Sequence, residues 1–390
     1  MHEGSQSVTP TSRAIDVHWF LPTTGDGRSV LDFFPDPARK PEDSRARSAD
    51  IEYLRQIARA ADRLGFAGVL TPTGIQCEDA WLVCAALAAD TERLRFLVAF
   101  RPGFVLPTLA AQMTATLQRI TRGRALINIV TGGDPAEQRS YGDFLDHDAR
   151  YERTDEFLEV FRRCWDGPPF SFEGSHYHVE GAGLRKPTRD ALSPAEDHGM
   201  TRPDVYFGGA SSSAEQVAAK HVDVYLLWGE PPAWVEERVT RMRALAAERG
   251  REIRFGIRLH VIARAREEDA WAEAERLLGT MSQEHIEIAQ RRFARQESVG
   301  QQRMVALHNG KLDMQALTVA PNLWSGIGLV RGGAGTALVG SYDQVAERIR
   351  EYADLGLDTY ILSGYPHLEE AYTVGEEILP RLRGITAAVP

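Results

Sequence analysis

The sequence IRFGIRLHVIA at residues 253–263 is typical of a buried β-strand, because it is apolar, rich in β-branched residues and free of proline. Side chains of a strand point alternately to its two faces, so Ile257, Leu259 and Val261 share one face and Arg258 and His260 share the other. A strand that is buried on both faces is expected to be almost entirely apolar. The two basic side chains therefore need either an anion pocket or a structural salt bridge or hydrogen bond within the fold.

Short apolar runs alternate with amphipathic stretches about eight times along the chain. This pattern predicts a parallel α/β sheet, and eight units in 390 residues favour a closed (β/α)8 TIM barrel. No GxGxxG sequence follows the first strand, which weighs against an open dinucleotide-binding sheet. We predict a disordered tail at residues 1–15 and one domain at residues 16–385. The predicted strands lie at residues 17–21, 67–70, 94–100, 125–130, 204–207, 222–227, 253–263 and 359–362.

Residues 281–340 interrupt this alternation and are predicted to be an insertion after the seventh strand. A basic helical stretch at residues 286–295 is followed by the glycine-rich sequence GIGLVRGGAGTALVG at residues 326–340. Glycine permits several backbone conformations, and Arg331 lies among these glycines with apolar residues on both sides. A polar surface linker would have little use for those apolar residues. We therefore predict that residues 326–340 form a mobile lid, which orders when ligands are bound.

The composition restricts the possible partners. A hydrophobic content of 43% and a charged content of 26% are those of a soluble globular protein. The formal net charge of −10 argues against nucleic acids and anionic membranes, although a local arginine cluster can still bind a small anion. Three cysteines without a CxxC pair suit a reducing compartment. Neither a signal peptide nor a transmembrane segment is evident, so we expect a cytoplasmic protein.

The predicted carboxyl ends of the strands, where barrel enzymes bind their ligands, collect polar and glycine-rich sequences. The sequence FGGASSSAEQVA places Gly209, Ser211 and Ser212 immediately before a helix. Free backbone N–H groups at a helix N-terminus suit a phosphate, and an ordinary serine N-cap is the alternative. Asn128 and Thr131 end the fourth strand and offer hydrogen bonds, either to a ligand or to the surrounding core.

Several chemistries are disfavoured. Cys77 is followed by Glu78 and Asp79, whose charges would raise the pKa of a thiol, so we interpret it as a pocket residue and not a nucleophile. No GxSxG sequence is present for acyl hydrolysis. His176 and His178 alternate on a predicted hairpin at residues 170–179, but no third ligand is evident, and we expect no metal site. A metal-dependent amidohydrolase barrel would need several such ligands at its strand ends.

Nine stretches of the chain, spread from about residue 16 to about residue 380, resemble the alkanesulfonate monooxygenase family of bacterial luciferase-like, reduced-flavin-dependent enzymes. Some of them are weak alone, but together and in this order they are highly specific. They are WFLPT at 19–23, PTG..CEDAWLV at 72–83, TGGDP at 131–135, YFGG at 206–209, WGEPP at 228–232, RFGIRLHVI at 254–262, SVGQQRM.ALHNGK at 298–311, LVRGGAGTALVG at 329–340 and SGYPHLEEAY at 363–372.

The resemblance implies roles for individual residues. Catalytic roles fall to Arg258, His260, Arg331 and Tyr365, and those four together with Trp228 and His367 would line the sulfonate pocket. The two arginines would neutralise the sulfonate, and His260 or Tyr365 would donate a proton. Binding of FMN would fall to Cys77, Asn128, Thr131, Tyr151, Gly209, Ser211 and Ser212.

The resemblance also implies an activity. FMNH2 from a separate NAD(P)H-dependent flavin reductase, together with O2, would cleave the C–S bond of an organosulfonate to give sulfite and a carbonyl product. A homodimer or homotetramer is expected. A flavin- or anion-binding carrier without catalysis is the alternative from another class. The charged segment at residues 26–50 is longer than the family's simple enzymes suggest and favours a polar substrate, such as a sulfosugar, although surface decoration or a subunit contact would explain it too.

Overall fold

Eight parallel strands form a closed barrel in the computed structural model, which describes residues 13–33, 46–185 and 202–388. Each strand pairs with its successor in the chain, and β7 pairs with β8, which pairs with β1, so the ring has no edge. The TIM barrel predicted from the alternation is therefore confirmed. The strands are β1 (Asp16–Phe20), β2 (Gly68–Thr71), β3 (Arg95–Phe100), β4 (Ala125–Ile129), β5 (Val205–Gly208), β6 (Val224–Trp228), β7 (Arg254–Arg264) and β8 (Thr359–Ser363).

Helices surround the ring, and side chains at their ends satisfy free backbone groups. Asp50, Asp79 and Ser211 each cap the N-terminus of a helix, and Gly65 ends the first helix with a left-handed φ of 91°. The barrel helices are Ile51–Leu64, Ala80–Leu87, Pro107–Thr121, His147–Arg163, Ser212–His221, Pro232–Ala247, Tyr342–Asp354 and His367–Thr373, the last continuing through Val374–Ile378 and Leu379–Leu382. A short helix at Pro135–Ser140 precedes the fourth of these, and the hairpin Phe170–Glu173 with His178–Ala182 follows it.

The insertion pairs with the carboxyl-terminal half of β7. This strand is 11 residues long, and its last five residues pair in parallel with Ala337–Ser341, outside the ring. Two short strands, Thr318–Ala320 and Leu323–Trp324, extend this small sheet. The helices of the region are Glu267–Leu278, Gln283–Phe293, Val299–His308 and Met314–Leu317.

The prediction that residues 326–340 form one loop was wrong at both ends. Gly326–Leu329 is a 3-10 helix, and Ala337–Ser341 is a strand whose first four residues are buried. Of the apolar residues that suggested a closing lid, Leu329, Val330 and Val339 pack in the core of the insertion, and Leu338 belongs to the main core of the barrel. Only Arg331, Gly332 and Gly333 in the middle of the segment retain partial exposure. The mobility of that middle part stays a prediction.

The packing of β7 confirms the alternation predicted from its sequence. Ile257, Leu259 and Val261 belong to the core between the ring and the helices. Arg258 and His260 are buried on the opposite face, inside the barrel, at 6% and 0% exposure. The apolar residues inside the ring form a smaller cluster of their own, which includes Leu97 and Ile361.

Some predicted features lie outside the described residues. These are residues 1–12 of the predicted tail, residues 34–45 of the charged segment, and most of the loop between the hairpin and β5. Within the tail, Arg13–Ala14 pairs antiparallel with Thr386–Ala387 across the bottom of the barrel. No helix in the described ranges is long and apolar enough to cross a membrane.

Candidate active site

A cavity of about 510 Å³ lies at the carboxyl ends of the barrel strands, where a TIM barrel carries its active site. Loops after β2, β4 and β5 form one side of it. Two parts of the insertion, residues 296–301 and residues 331–334, form the other side. The volume is within the range of sites for small molecules and cofactors.

Two arginines form a cationic end of this cavity. The Cζ atoms of Arg258 and Arg331 lie 4.5 and 5.7 Å from the centre of the Phe20 ring, so one aromatic ring contacts both guanidinium groups. Their acceptors among the described residues are backbone carbonyls only: Arg258 Nη1 donates to Leu259 at 2.7 Å, and Arg331 Nη1 donates to Gly332 and Ala334 at 3.3 Å.

Neither arginine forms an ion pair with a carboxylate among the described residues, and Nη2 of Arg258 has no hydrogen-bond partner there. Burial, together with the neighbouring charge of Arg331, lowers the pKa of Arg258 well below its usual value. A buried cation beside a second, partly buried cation is unfavourable unless an anion joins them. This end of the cavity is therefore suited to an anionic group.

His260 is held by hydrogen bonds to two other segments of the chain and does not line the cavity. Its Nε2 lies 3.2 Å from the carbonyl oxygen of Ala334, which can only accept, so Nε2 carries the proton. Its Nδ1 then accepts from the Ser363 hydroxyl at 2.7 Å. Burial and the charge of Arg258 lower the pKa of His260 well below its usual value, so the ring is neutral at neutral pH. The ring stacks on Tyr365, with centroids 5.4 Å apart and an interplanar angle of 17°.

His367 is fixed by a buried carboxylate. Its Nδ1 and its backbone N–H lie 2.8 and 2.9 Å from Oδ1 of Asp26. The hydroxyl of Tyr53 donates to the other oxygen of Asp26, and Arg47 bonds both Tyr53 and Glu369. Burial lowers the pKa of His367, and the hydrogen bonds that Asp26 accepts lower its own pKa despite burial, which describes a neutral histidine beside a carboxylate.

The opposite end of the cavity is lined by neutral hydrogen-bonding groups. Asn128, Thr131, Tyr151, Gly209 and Ser211 all line it. The Ser211 side chain accepts from the N–H of Ala214 at 3.2 Å, so it caps the helix Ser212–His221, whose N-terminus lies at the cavity. Burial raises the pKa of Tyr151, which keeps its hydroxyl protonated as a donor.

Arg101, at the end of β3, was not predicted as a site residue. It is buried, lines the cavity and pairs with Glu137 at 2.8 Å, while its Nε and Nη1 atoms have no partner among the described residues. Cys77 lies near this pair but does not line the cavity. Burial and the charge of Glu137 raise the pKa of the Cys77 thiol. The thiol is therefore neutral, which agrees with the sequence-based view of a poor nucleophile.

The predicted site residues thus fall into two groups. The cavity wall includes Trp228, Arg258, Arg331, Asn128, Thr131, Tyr151, Gly209 and Ser211. His260, Tyr365 and His367 pack behind the arginines, and neither Cys77 nor Ser212 contributes to the wall. The sequence analysis overlooked Phe20, Arg101 and Gln301. Position at a strand end could have identified Phe20 and Arg101, but nothing local indicated Gln301.

A family comparison matches this arrangement. Residues 19–359, which include the carboxyl ends of the first seven barrel strands and the insertion, match the model of the luciferase-like monooxygenases. The chain belongs to that family. No group of three or more potential metal ligands occurs in the described part of this luciferase-like chain.

Solved structures share the fold at low sequence identity. A riboflavin lyase with modified FMN and riboflavin is 20% identical, with a TM-score of 0.73 over 96% of this chain and 93% of its own. EDTA monooxygenase from Chelativorans sp. BNC1 is 19% identical, with a TM-score of 0.70 over 96% and 95%. The oxygenating constituent of 3,6-diketocamphane monooxygenase from Pseudomonas putida, in complex with FMN, is 17% identical, with a TM-score of 0.65 over 94% and 98%.

Proposed function

We propose that this luciferase-like protein is a reduced-flavin-dependent monooxygenase that cleaves organosulfonates to sulfite and a carbonyl compound. The observation that carries the proposal is that Arg258 and Arg331 line the cavity and form no ion pair with a carboxylate of the described residues. A sulfonate brings one negative charge and three acceptor oxygens. The planar donor fork of arginine is well suited to such a group.

The sequence supports a sulfonate over other anions. Both arginines lie in stretches that resemble the alkanesulfonate monooxygenase family, RFGIRLHVI and LVRGGAGTALVG. The wall of the cavity between its two ends is largely apolar and includes Leu226, Trp228 and Val299. A carbon chain attached to the sulfonate would gain free energy by burial there.

The neutral end of the cavity fits FMN. The N-terminus of the helix Ser212–His221 and the hydroxyl groups of Ser211 and Tyr151 would hold the phosphate, while Asn128 and Thr131 would bind polar atoms of the flavin. Two of the fold relatives are described with FMN or modified FMN, which supports this assignment. When bound, reduced FMN would supply the two electrons that activate O2.

The chain's own residues would bind the substrate and move a proton. Arg258 and Arg331 would hold the sulfonate against the Phe20 ring. Tyr365 packs behind the arginines, so it would donate a proton to the reacting end through a bridging water, and His260, whose ring nitrogens are both engaged, would fix Tyr365 by stacking. In sum, R–CH2–SO3⁻, FMNH2 and O2 give R–CHO, hydrogen sulfite (HSO3⁻), FMN and water: one oxygen atom enters the aldehyde, and the other leaves as water.

A separate flavin reductase would provide FMNH2. One fold relative is described as the oxygenating constituent of its monooxygenase, and this description supports a second component here. A polar sulfonate such as a sulfosugar is a second candidate substrate. The described ends of the charged segment favour it, because Asp26 and Arg47 pair through their backbones beside His367. The described ends of the segment therefore lie beside the histidine that packs behind the two arginines.

The proposal is tested by sulfite release. Purified protein is supplied with FMN, NADH, O2 and an unrelated flavin reductase, and sulfite is measured with alkyl, aryl and sugar sulfonates. Sulfite that appears only with O2 and reductase, together with one equivalent of carbonyl product, is the expected result. Absence of sulfite from all three classes, with flavin and sulfonate still bound, would favour the carrier function and contradict the proposal.

A further inference from the structure

The segment that carries Arg331 is firmly held at its ends and weakly held in its middle. At the start of the segment, the N–H of Arg331 donates to the carbonyl oxygen of Ile327 at 3.1 Å. The N–H of Gly328 donates to the carbonyl oxygen of Gly335 at 2.8 Å, and this bond joins the two ends of the loop at its neck. A side chain at Gly335 would come within 2.5 Å of the backbone of Gly328, so the neck closes only because residue 335 is glycine. The loop at residues 331–335 is therefore fixed at its base.

One side chain from outside the loop binds its tip. The amide oxygen Oε1 of Gln301 accepts from the N–H of Gly333 at 2.9 Å. Gly333 has a left-handed φ of 85°, and its N–H has no other partner among the described residues. His260 binds the next residue through the Ala334 carbonyl. The tip is thus held from the insertion by Gln301 and from the barrel by His260.

The position of Gln301 at the start of a helix restricts its side chain and so favours this contact. It lies in the first turn of the helix Val299–His308, where Ser298 caps the N-terminus by accepting from the N–H of Gln301 at 3.2 Å. The side chain is 2% exposed and lines the cavity. Because Gly333 offers a donor, the glutamine must turn its oxygen towards it. The amide nitrogen Nε2 then has no acceptor among the described residues.

We propose that Gln301 is a positioning residue for Arg331, which sets the place of its guanidinium by holding the loop tip at Gly333. The contact spans 32 positions of the chain and joins the insertion helix to the loop. As far as it concerns substrate, this role rests on the proposed sulfonate function. Arg331 is two residues from the bonded N–H, so loss of the contact frees the arginine without removing it.

The test replaces the amide and compares two neighbouring glutamines. Gln301→Met keeps the length and the helix preference of the side chain but removes the acceptor. Gln302→Met is the matched control, because Gln302 is in the same helical turn and its side chain is exposed. The first readout is tryptic cleavage after Arg331 in the free protein, followed by mass spectrometry. The second is the KM and kcat for sulfite release.

We expect Gln301→Met to speed cleavage after Arg331 by about tenfold, since one hydrogen bond of this kind contributes about that factor to an opening equilibrium. KM for the sulfonate should rise by a similar factor while kcat changes less. Gln302→Met should match the parent in both. Gln301→Glu retains an acceptor for Gly333, so its cleavage rate should return to that of the parent.

Equal cleavage of the parent and Gln301→Met would overturn the positioning role, as would a Gln301→Glu variant that is cut as fast as Gln301→Met. A purely structural contribution of Gln301 would lower the apparent kcat through loss of folded protein and leave KM unchanged, and circular dichroism would reveal that loss. If the parent releases no sulfite but Gln301→Met is still cut faster, the proposed function fails and the positioning role stands.

Discussion

Strand β7 carries two inward arginines four residues apart, and they have opposite surroundings. Arg254, at the bottom of the barrel, pairs with the carboxylate of Asp204. Arg258, at the top, has carbonyl acceptors only and lies beside a second cation, Arg331. The same difference extends around the ring, because Arg95 at the bottom is paired with Asp16 at 2.6 Å.

This comparison distinguishes arginines that form ion pairs within the fold from arginines that would pair with a bound anion. At the bottom, an acid at the start of a strand satisfies each of these arginines, and the pairs are partly exposed. At the top, no described acid pairs with either of the two arginines. The two unpaired cations lower the free energy of unfolding, and they leave a site where an anion can bind. Arg258→Ala and Arg254→Ala therefore test the same residue type in two environments.

The largest effect is expected from Arg258→Ala. It should lower kcat/KM for sulfite release at least about a hundredfold, because a buried charge-assisted contact to the substrate is lost. Its free energy of unfolding should stay equal or rise, since a buried unpaired cation is removed. Arg254→Ala should leave turnover unchanged and lose at most about 1 kcal/mol of stability, as partly exposed ion pairs contribute. Steady-state assays and urea unfolding measure both variants.

The comparison fails if the two variants behave alike. A near-normal kcat/KM in Arg258→Ala would remove this residue from the substrate site, and a similar loss of turnover in Arg254→Ala would show that both act through the fold.

A smaller effect concerns the bottom of the barrel. His18 on β1 is fully buried near Tyr206, and neither ring nitrogen has a partner among the described residues. Burial, aided by the charge of Arg95 and opposed by Asp16, lowers its pKa from 6.5 to about 3. The unfolded chain therefore binds a proton at His18 that the folded protein does not bind. The free energy of unfolding consequently decreases as the pH falls below about 6.5.

Between pH 7.5 and pH 5, this one histidine should remove about 2 kcal/mol from the free energy of unfolding. His18→Phe should lose about that much less than the parent over the same interval, when both are unfolded in urea at each pH. The difference between the two pH values cancels any change in packing, and the other buried histidines contribute equally to both proteins. An identical pH-dependent loss in the two proteins would show that His18 does not resist protonation in the fold.

Periodicity predicted much of the fold and one of the two arginines at the cationic end of the cavity, whereas Arg331 was predicted from the glycine-rich loop and the family resemblance. The alternation of eight strands fixed the barrel, and the two-residue period of β7 put Arg258 and His260 on the inner face before any contact was known. The strand-end rule placed Ser211, Asn128 and Thr131 at the cavity, where the structure also has them. These are local properties, and local sequence encodes them.

Long-range pairing explains what was not predicted. The strand Ala337–Ser341 was assigned to a loop because its glycine-rich surroundings hid that β7 extends beyond the ring to pair with it. Gln301 reaches Gly333 across an insertion helix, and the engagement of His260 by Ala334 and Ser363 depends on three separate segments. No window of sequence shows which distant partner satisfies a given polar group.

The account is tested most directly by the affinity of the cavity for charge. Titration calorimetry, without O2 and with reduced FMN present, would compare an eight-carbon alkanesulfonate with the uncharged methyl sulfone of the same chain length. We expect the sulfonate to bind the parent at least about tenfold more tightly, and this preference should vanish in Arg258→Ala. Equal affinity of the parent for the charged and the uncharged compound would contradict the claim that Arg258 and Arg331 form an anion site.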